Sequence, residues 1–110
     1  MKSLKEPFDL IKIGQKNIEI RLFDDKRKEL KIDDIIIFSK LPNCREKLII
    51  RITGLKRYDS FSHLFENIPP KCFGWDGRSI DWMLNEIYMI YSMEQEKKYG
   101  IIAISFKLCS

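Results

Sequence analysis

The stretch Gly14-Gln15-Lys16-Asn17-Ile18-Glu19-Ile20-Arg21 decides how the chain is read. Its glycine closes the segment before it, and its lysine stands at the bend. The run that follows alternates, with Ile18, Ile20 and Leu22 on one side and Asn17, Glu19, Arg21 and Phe23 on the other. Successive side chains of a β-strand point to opposite faces, so this is a strand pattern of period two. With the isoleucines against a core, Glu19 and Arg21 share the other face, about 7 Å apart at a rise of about 3.3 Å per residue. A lysine, a carboxylate and a guanidinium then meet at the mouth of one element.

Upstream, Pro7 is tolerated in a first helical turn and Gly14 ends one, so Phe8, Leu10, Ile11 and Ile13 fit a short helix over about 6–13. Downstream, residues 23–31 lack a sustained apolar period. Lys26, Arg27 and Lys28 there are balanced by Asp24, Asp25 and Glu29, which reads as a solvated connection, with a basic rim as the alternative. The β-branched and aromatic run Ile35-Ile36-Ile37-Phe38 predicts a strand buried on both faces. Leu41-Pro42-Asn43 turns the chain into a strand over 48–55, which should pair with it antiparallel.

Ser60 is placed to cap a helix carrying Phe61, Leu64, Phe65 and Ile68, ended by Pro69-Pro70. Residues 71–77, with Cys72, Phe73, Trp75 and two glycines, are the least regular segment and fit a loop over a cleft. Ser79 reads as a second cap, before a stripe of Ile80, Met83, Leu84, Ile87, Tyr88 and Tyr91 expected in the core. Ser92 and Gln95 have the spacing of a capping box for a short charged helix, and Tyr99 to Leu108 is the last strand. Helices placed late, before a final strand that returns to earlier ones, predict an α+β fold: a small mixed β-barrel with helices on its outside.

At 110 residues the chain is expected to form a single domain, residues 1–110, with a real core. Hydrophobic residues at 45% and charged residues at 33%, with no apolar run near the ~20 residues of a membrane span, predict a soluble protein with no membrane partner. The first seven residues lack the apolar segment of a secretory signal. Cys44, Cys72 and Cys109 match neither a disulfide framework nor a zinc spacing, and His63 is the single histidine. Free thiols in a reducing cytoplasm, no metal and no cofactor are therefore expected, and the protein is read as a monomer. The net charge of +4 biases it mildly toward anionic partners.

Taken together, Gly-x-Lys-x-x-Glu-x-Arg over 14–21, Asp34-Ile35-Ile36-Ile37-Phe38, Tyr58-Asp59-Ser60-Phe61, and Tyr91-Ser92-Met93-Glu94-Gln95-Glu96 leading to Tyr99-Gly100-Ile101-Ile102-Ala103-Ile104 resemble the ASCH domain family of the PUA-like superfamily. The resemblance spans roughly residues 5–108. It departs at Asp33-Asp34, where the family usually has Gly-Asp, which bears on the tightness of that turn. It implies a PUA-like β-barrel with a cleft between barrel and helices, and RNA or a nucleoside or nucleotide as partner.

Lys16 offers three donors and a point charge, Arg21 a planar fork, and Glu19 can hold either. The three can be a buttressing ion pair with a solvated lysine, or the floor of a pocket for a base or phosphate. Lys56, Arg57 and Tyr58 interleave a ring with cations, as stacking and phosphate contact require, although a tyrosine at a strand end often only packs. Ser60 and Trp75 complete the candidate nucleic-acid contacts; Ser60 is more simply a cap than a nucleophile, and Trp82 belongs more simply to helix packing. Glu94 and Glu96 resemble the family's acidic pattern, or are exposed on a short helix. Some ASCH proteins are similar amidohydrolases that deacylate a modified cytidine, and others are reported as ribonucleases. In the amidohydrolases a lysine matching Lys16 is catalytic, helped by a threonine three residues later and a distal glutamate. This chain has Glu19 at the threonine position, so a catalytic reading would rest on Lys16 with Glu19 as general base. An adaptor surface in a transcription or translation assembly is a third reading.

Overall fold

Strand β2, Ile18–Leu22, lies at one edge of a five-stranded sheet and pairs antiparallel with the C-terminal strand β5, Ile101–Leu108. The computed structural model describes residues 1–109. Among them β1 is Lys2–Ser3, β3 Ile35–Lys40 and β4 Lys47–Tyr58, and the strand order is β1-β3-β4-β5-β2. The helices are α1 Lys5–Lys12, α2 Phe61–Asn67, α3 Ile80–Ile87 and α4 Met93–Tyr99, with short 3-10 turns at Arg27–Glu29 and Pro70–Phe73. The sheet curls into a half-barrel, the mixed α+β architecture of PUA-like folds.

Register divides the sheet into two apolar faces. Ile20 stands beside Ala103, and Leu22 beside Ile101 and through it Tyr58. These residues form one core with Phe61, Leu64, Phe65, Phe73, Met83 and Ile87 from the helical side. The alternate residues Ile102, Ile104 and Phe106 form a second core with Phe8 and Ile11 of α1 and with Phe38, Ile50 and Ile52. Strand β5 is thus buried on both faces, because it lies between β4 and β2 with a core on either side.

That double burial was expected of β3, and the structure corrects it. Ile36 and Phe38 are buried, but Ile35 and Ile37 are 56% and 47% exposed. On the side away from β4, β3 has among the described residues only the two-residue β1 as a neighbour, and the Ile35 and Ile37 side chains belong to neither apolar core. The antiparallel pairing of β3 with β4 is as expected, with Ile37 opposite Ile49. β4 runs on to Tyr58, past the expected end at 55, after a register shift between Ile52 and Gly54.

Local signals place the starts of the helices within a residue, while α3 ends at Ile87, short of the expected stripe through Tyr91. The hydroxyls of Ser60, Ser79 and Ser92 accept from the backbone N–H groups of His63, Trp82 and Gln95, and Ser92 with Gln95 completes a capping box. At the departure from the family pattern, Asp33 takes the left-handed conformation at φ 76°. Aspartate tolerates that region better than most residues. Its N–H donates to the Ile52 carbonyl at 2.8 Å and its carboxylate meets Arg51 at 2.9 Å, so the turn stays tight without the glycine.

Candidate functional site

Two backbone tethers fix the lysine of the opening stretch. Gly14 takes φ 80°, and the N–H groups of Gln15 and Lys16 both donate to the Leu10 carbonyl, at 2.9 and 3.2 Å. The Asn17 N–H then donates to the Cys72 carbonyl at 3.0 Å, joining the start of β2 to the Pro70–Phe73 turn. Lys16 Nζ lies 3.1 Å from Glu19 Oε1, while Arg21 Nη2 and Nε reach Glu19 Oε2 at 2.7 and 3.1 Å. Arg21 Nη2 also donates to the Lys2 carbonyl at 2.9 Å, tying β1 to β2.

One carboxylate therefore bridges two cations, and the trio carries a net charge of +1. Lys16 and Glu19 are buried, at 8% and 7% exposure. Burial alone would push the Glu19 carboxyl up, but Lys16 and Arg21 together outweigh it and hold the group below the usual carboxylate range. Arg21 Nη1 has no protein partner among the described residues, and the Lys16 ammonium has donors beyond the one aimed at Glu19. Among the described residues there, no side-chain nitrogen or oxygen is both sealed from solvent and unpartnered. Spare donors on a positive floor suit an acceptor-rich or anionic ligand.

Above the trio is a cavity of about 190 Å³, walled by Trp75, Ile90 and Tyr91 as well as by Lys16, Glu19 and Arg21. Two wider hollows adjoin it. One, of about 650 Å³, shares Lys2 and Arg21 with it and adds Lys26 and Arg27. The other, of about 680 Å³, shares Lys16, Trp75 and Ile90 and adds Arg78 and Trp82. A further hollow of about 440 Å³, lined by Gly14, Asn17, Lys71 and Cys72, has no member of the trio in its wall.

The ASCH domain family model matches residues 1–110. The chain belongs to the ASCH domain family. This ASCH domain is similar to the crystal structure of a hypothetical protein, PH0355, at 34% identity and a TM-score of 0.83, covering 98% of this chain and 99% of that one. It is similar to protein PF0455 from Pyrococcus furiosus, solved in solution, at 29% identity and a TM-score of 0.68, over 100% and 99% of the two chains. Protein EF3133 from Enterococcus faecalis V583 shares the fold at 16% identity and a TM-score of 0.58, over 91% of this chain and 64% of that one. No curated protein matches the chain.

Within the ASCH domain, the residues singled out from sequence divide. Lys16, Glu19, Arg21 and Trp75 converge on one cavity; Lys56, Arg57, Tyr58 and Ser60 line neither it nor the two hollows beside it. Tyr58 offers no stacking platform: the residue is 6% exposed, packed in the helical-side core with His63 edge-on to its ring and Lys56 above it. Arg57 lies over the Phe23 ring, and the Ser60 hydroxyl is occupied as a cap. Glu96 is not an exposed helix residue. It is buried, and it accepts from the Phe61 N–H and the Tyr88 hydroxyl, both at 2.7 Å; Glu94 remains exposed.

Sequence reasoning missed Lys2 and Tyr91. Lys2 sits in a strand too short to show a pattern. Tyr91 counted with the α3 stripe but lies beyond the helix end, stacked on Phe61 with its ring beside the cavity. Burial pushes the Tyr91 hydroxyl up against the opposing pull of Arg21, so at neutral pH it is a protonated donor. Among the described residues no three His, Cys, Asp or Glu side chains form a metal-holding group, Cys44, Cys72 and Cys109 are unpaired thiols, and no helix is long and apolar enough to cross a membrane.

The wall carrying Trp75 is fixed by Gly74, which takes φ 79° against α1. A Cβ there would lie 2.7 Å from Leu10 Cδ1. Gly74→Ala is expected to cost about 1–2 kcal/mol from left-handed backbone strain and the Leu10 displacement. Urea unfolding of the two proteins checks this, and an unchanged midpoint would count against it.

Proposed function

We propose that this ASCH domain binds single-stranded RNA or a nucleotide, holding one base or phosphate over Lys16, Glu19 and Arg21. The observation that carries this reading is the buried, net-positive trio with spare donors at the floor of a cavity of about 190 Å³, small enough to suit one group and not a drug-sized ligand. ASCH membership and the cationic hollow next to the cavity support RNA as the source of that group.

Hydrolysis of an N-acylated cytidine by Lys16 and Glu19 draws less support. Both Glu19 oxygens are engaged by cations and its carboxyl is held low, which makes it a weak general base.

The test is titration of a labelled single-stranded RNA at two salt concentrations. Binding is expected to weaken as salt rises, because each neutralised phosphate releases counterions. Arg21→Lys keeps the charge but loses the fork, and is expected to weaken binding about tenfold, the equivalent of one charged hydrogen bond. No binding at either salt, or an Arg21→Lys protein that binds as tightly as the parent, overturns the proposal.

A further inference from the structure

The trio's cavity is the middle of a longer trough whose two ends differ in chemistry. Arg21 is common to the cavity and the 650 Å³ hollow, and Lys16 and Trp75 are common to the cavity and the 680 Å³ hollow. A ligand bound in the middle can therefore continue in either direction without leaving the protein surface.

At the first end, the charged side chains are Lys2, Arg21, Lys26 and Arg27, with no carboxylate among the described residues of the wall. Arg27 is held 2.9 Å from Asp24, whereas Lys2 and Lys26 have no ion-pair partner among the described residues. Unpaired, exposed cations around an open hollow suit phosphate oxygens.

At the second end, Glu6, Asp76 and Glu86 share the wall with Lys5, Lys16 and Arg78, and they disfavour a phosphate there. What this end offers is flat surface. The exposed Arg78 guanidinium lies over the Trp82 ring at 4.5 Å, and Trp75 meets Trp82 edge to face at 5.6 Å. Unpaired bases stack on aromatic rings and on arginine planes, so a base can lengthen this stack on the outer face of the guanidinium.

We infer that the trough takes a short single-stranded oligonucleotide and not a lone nucleotide, with its phosphates running along Lys2, Lys26 and Arg27 and one base stacked on Arg78 above Trp82. The inference rests on the RNA-binding reading and deepens it. The cavity of about 190 Å³ has room for one base, so only a ligand of several nucleotides occupies the middle and both hollows.

Trp75 and Trp82 are the two tryptophans of the chain, so its tryptophan emission reports on the aromatic end. The experiment titrates the protein with uridine monophosphate, tri-uridylate and hexa-uridylate, following that emission at several salt concentrations. Hexa-uridylate is expected to bind at least tenfold more tightly than the monophosphate and to quench the emission. The exposed variant Arg78→Lys keeps the charge and loses the plane; it is expected to weaken hexa-uridylate about fivefold or more, the lower bound for one stacked base. The double variant Lys2→Ala, Lys26→Ala is expected to reduce the slope of log affinity against log salt by about 1.4, at about 0.7 per phosphate contact on a single strand. Salt-dependent binding in which the monophosphate equals hexa-uridylate, or in which bound hexa-uridylate leaves the emission unchanged, overturns this inference and leaves the RNA-binding proposal standing. If no oligouridylate binds at any salt, both fall.

Discussion

Glu19→Ala is expected to lower the unfolding free energy by about 3–5 kcal/mol, because it leaves two cations in a poorly solvated site with nothing to compensate them. Lys16 is 8% exposed, and Glu19 is the one ion-pair partner that it and Arg21 have among the described residues. Glu19→Gln keeps the shape and loses the charge, so it tests the electrostatic part by itself. Burial resists ionisation of Glu19, but Lys16 and Arg21 prevail and its folded pKa lies below the ordinary value. The folded state thus prefers the carboxylate. Its contribution is complete above the unfolded value of about 4.3 and is lost as pH falls from there through the lower folded value. Urea unfolding of parent and Glu19→Gln proteins between neutral and acid pH is expected to show the parent losing stability more steeply across that window. Parallel profiles, or a Glu19→Ala loss under 1 kcal/mol, would mean that water already satisfies the two cations.

The second large effect is expected at Glu96. Its carboxylate accepts from the Phe61 N–H, at the first turn of α2, and from the Tyr88 hydroxyl that follows α3, both at 2.7 Å. One side chain of α4 thereby fastens the other two helices of that face. Glu96→Ala leaves both donors short of a partner, at roughly 1–3 kcal/mol each, so a loss of about 2–5 kcal/mol is expected. The Tyr88 hydroxyl is pushed up to about 12 by burial and by its bond to Glu96, and in Glu96→Ala its titration should move down toward the ordinary value near 10. Spectrophotometric titration together with urea unfolding reads both effects. Stability within 1 kcal/mol of the parent and an unmoved Tyr88 would refute the clamp. Phe61 also stacks on Tyr91, which walls the cavity over Lys16, Glu19 and Arg21, so a weakened clamp is felt there.

The features legible in sequence are those set by neighbours a few residues apart. Ser60, Ser79 and Ser92 cap helices because a hydroxyl in the turn before a helix reaches an N–H three residues on. Lys16, Glu19 and Arg21 meet because strand alternation puts Glu19 and Arg21 on one face and a tight turn delivers the lysine beside them. Burial proved harder to read. An unbroken apolar run such as Ile35 to Phe38 looks alike in the middle of a sheet and beside an edge. Tyr58 and Glu96 carried the chemical look of surface residues, yet Tyr58 packs under α2 and Glu96 finds two donors that pay for its burial.

By itself, then, the sequence determined the longer elements, the helix caps and the charged trio around the start of β2, since these depend on local geometry and on side-chain period. Tertiary structure alone decided that β5 inserts between β4 and β2, which residues that insertion covers, and that Lys2 and Tyr91 join Lys16, Glu19 and Arg21 around one cavity. Those pairings join segments as much as 87 residues apart, the separation of Ile18 from Ser105, and are selected by the burial of whole faces, which no short window of sequence records.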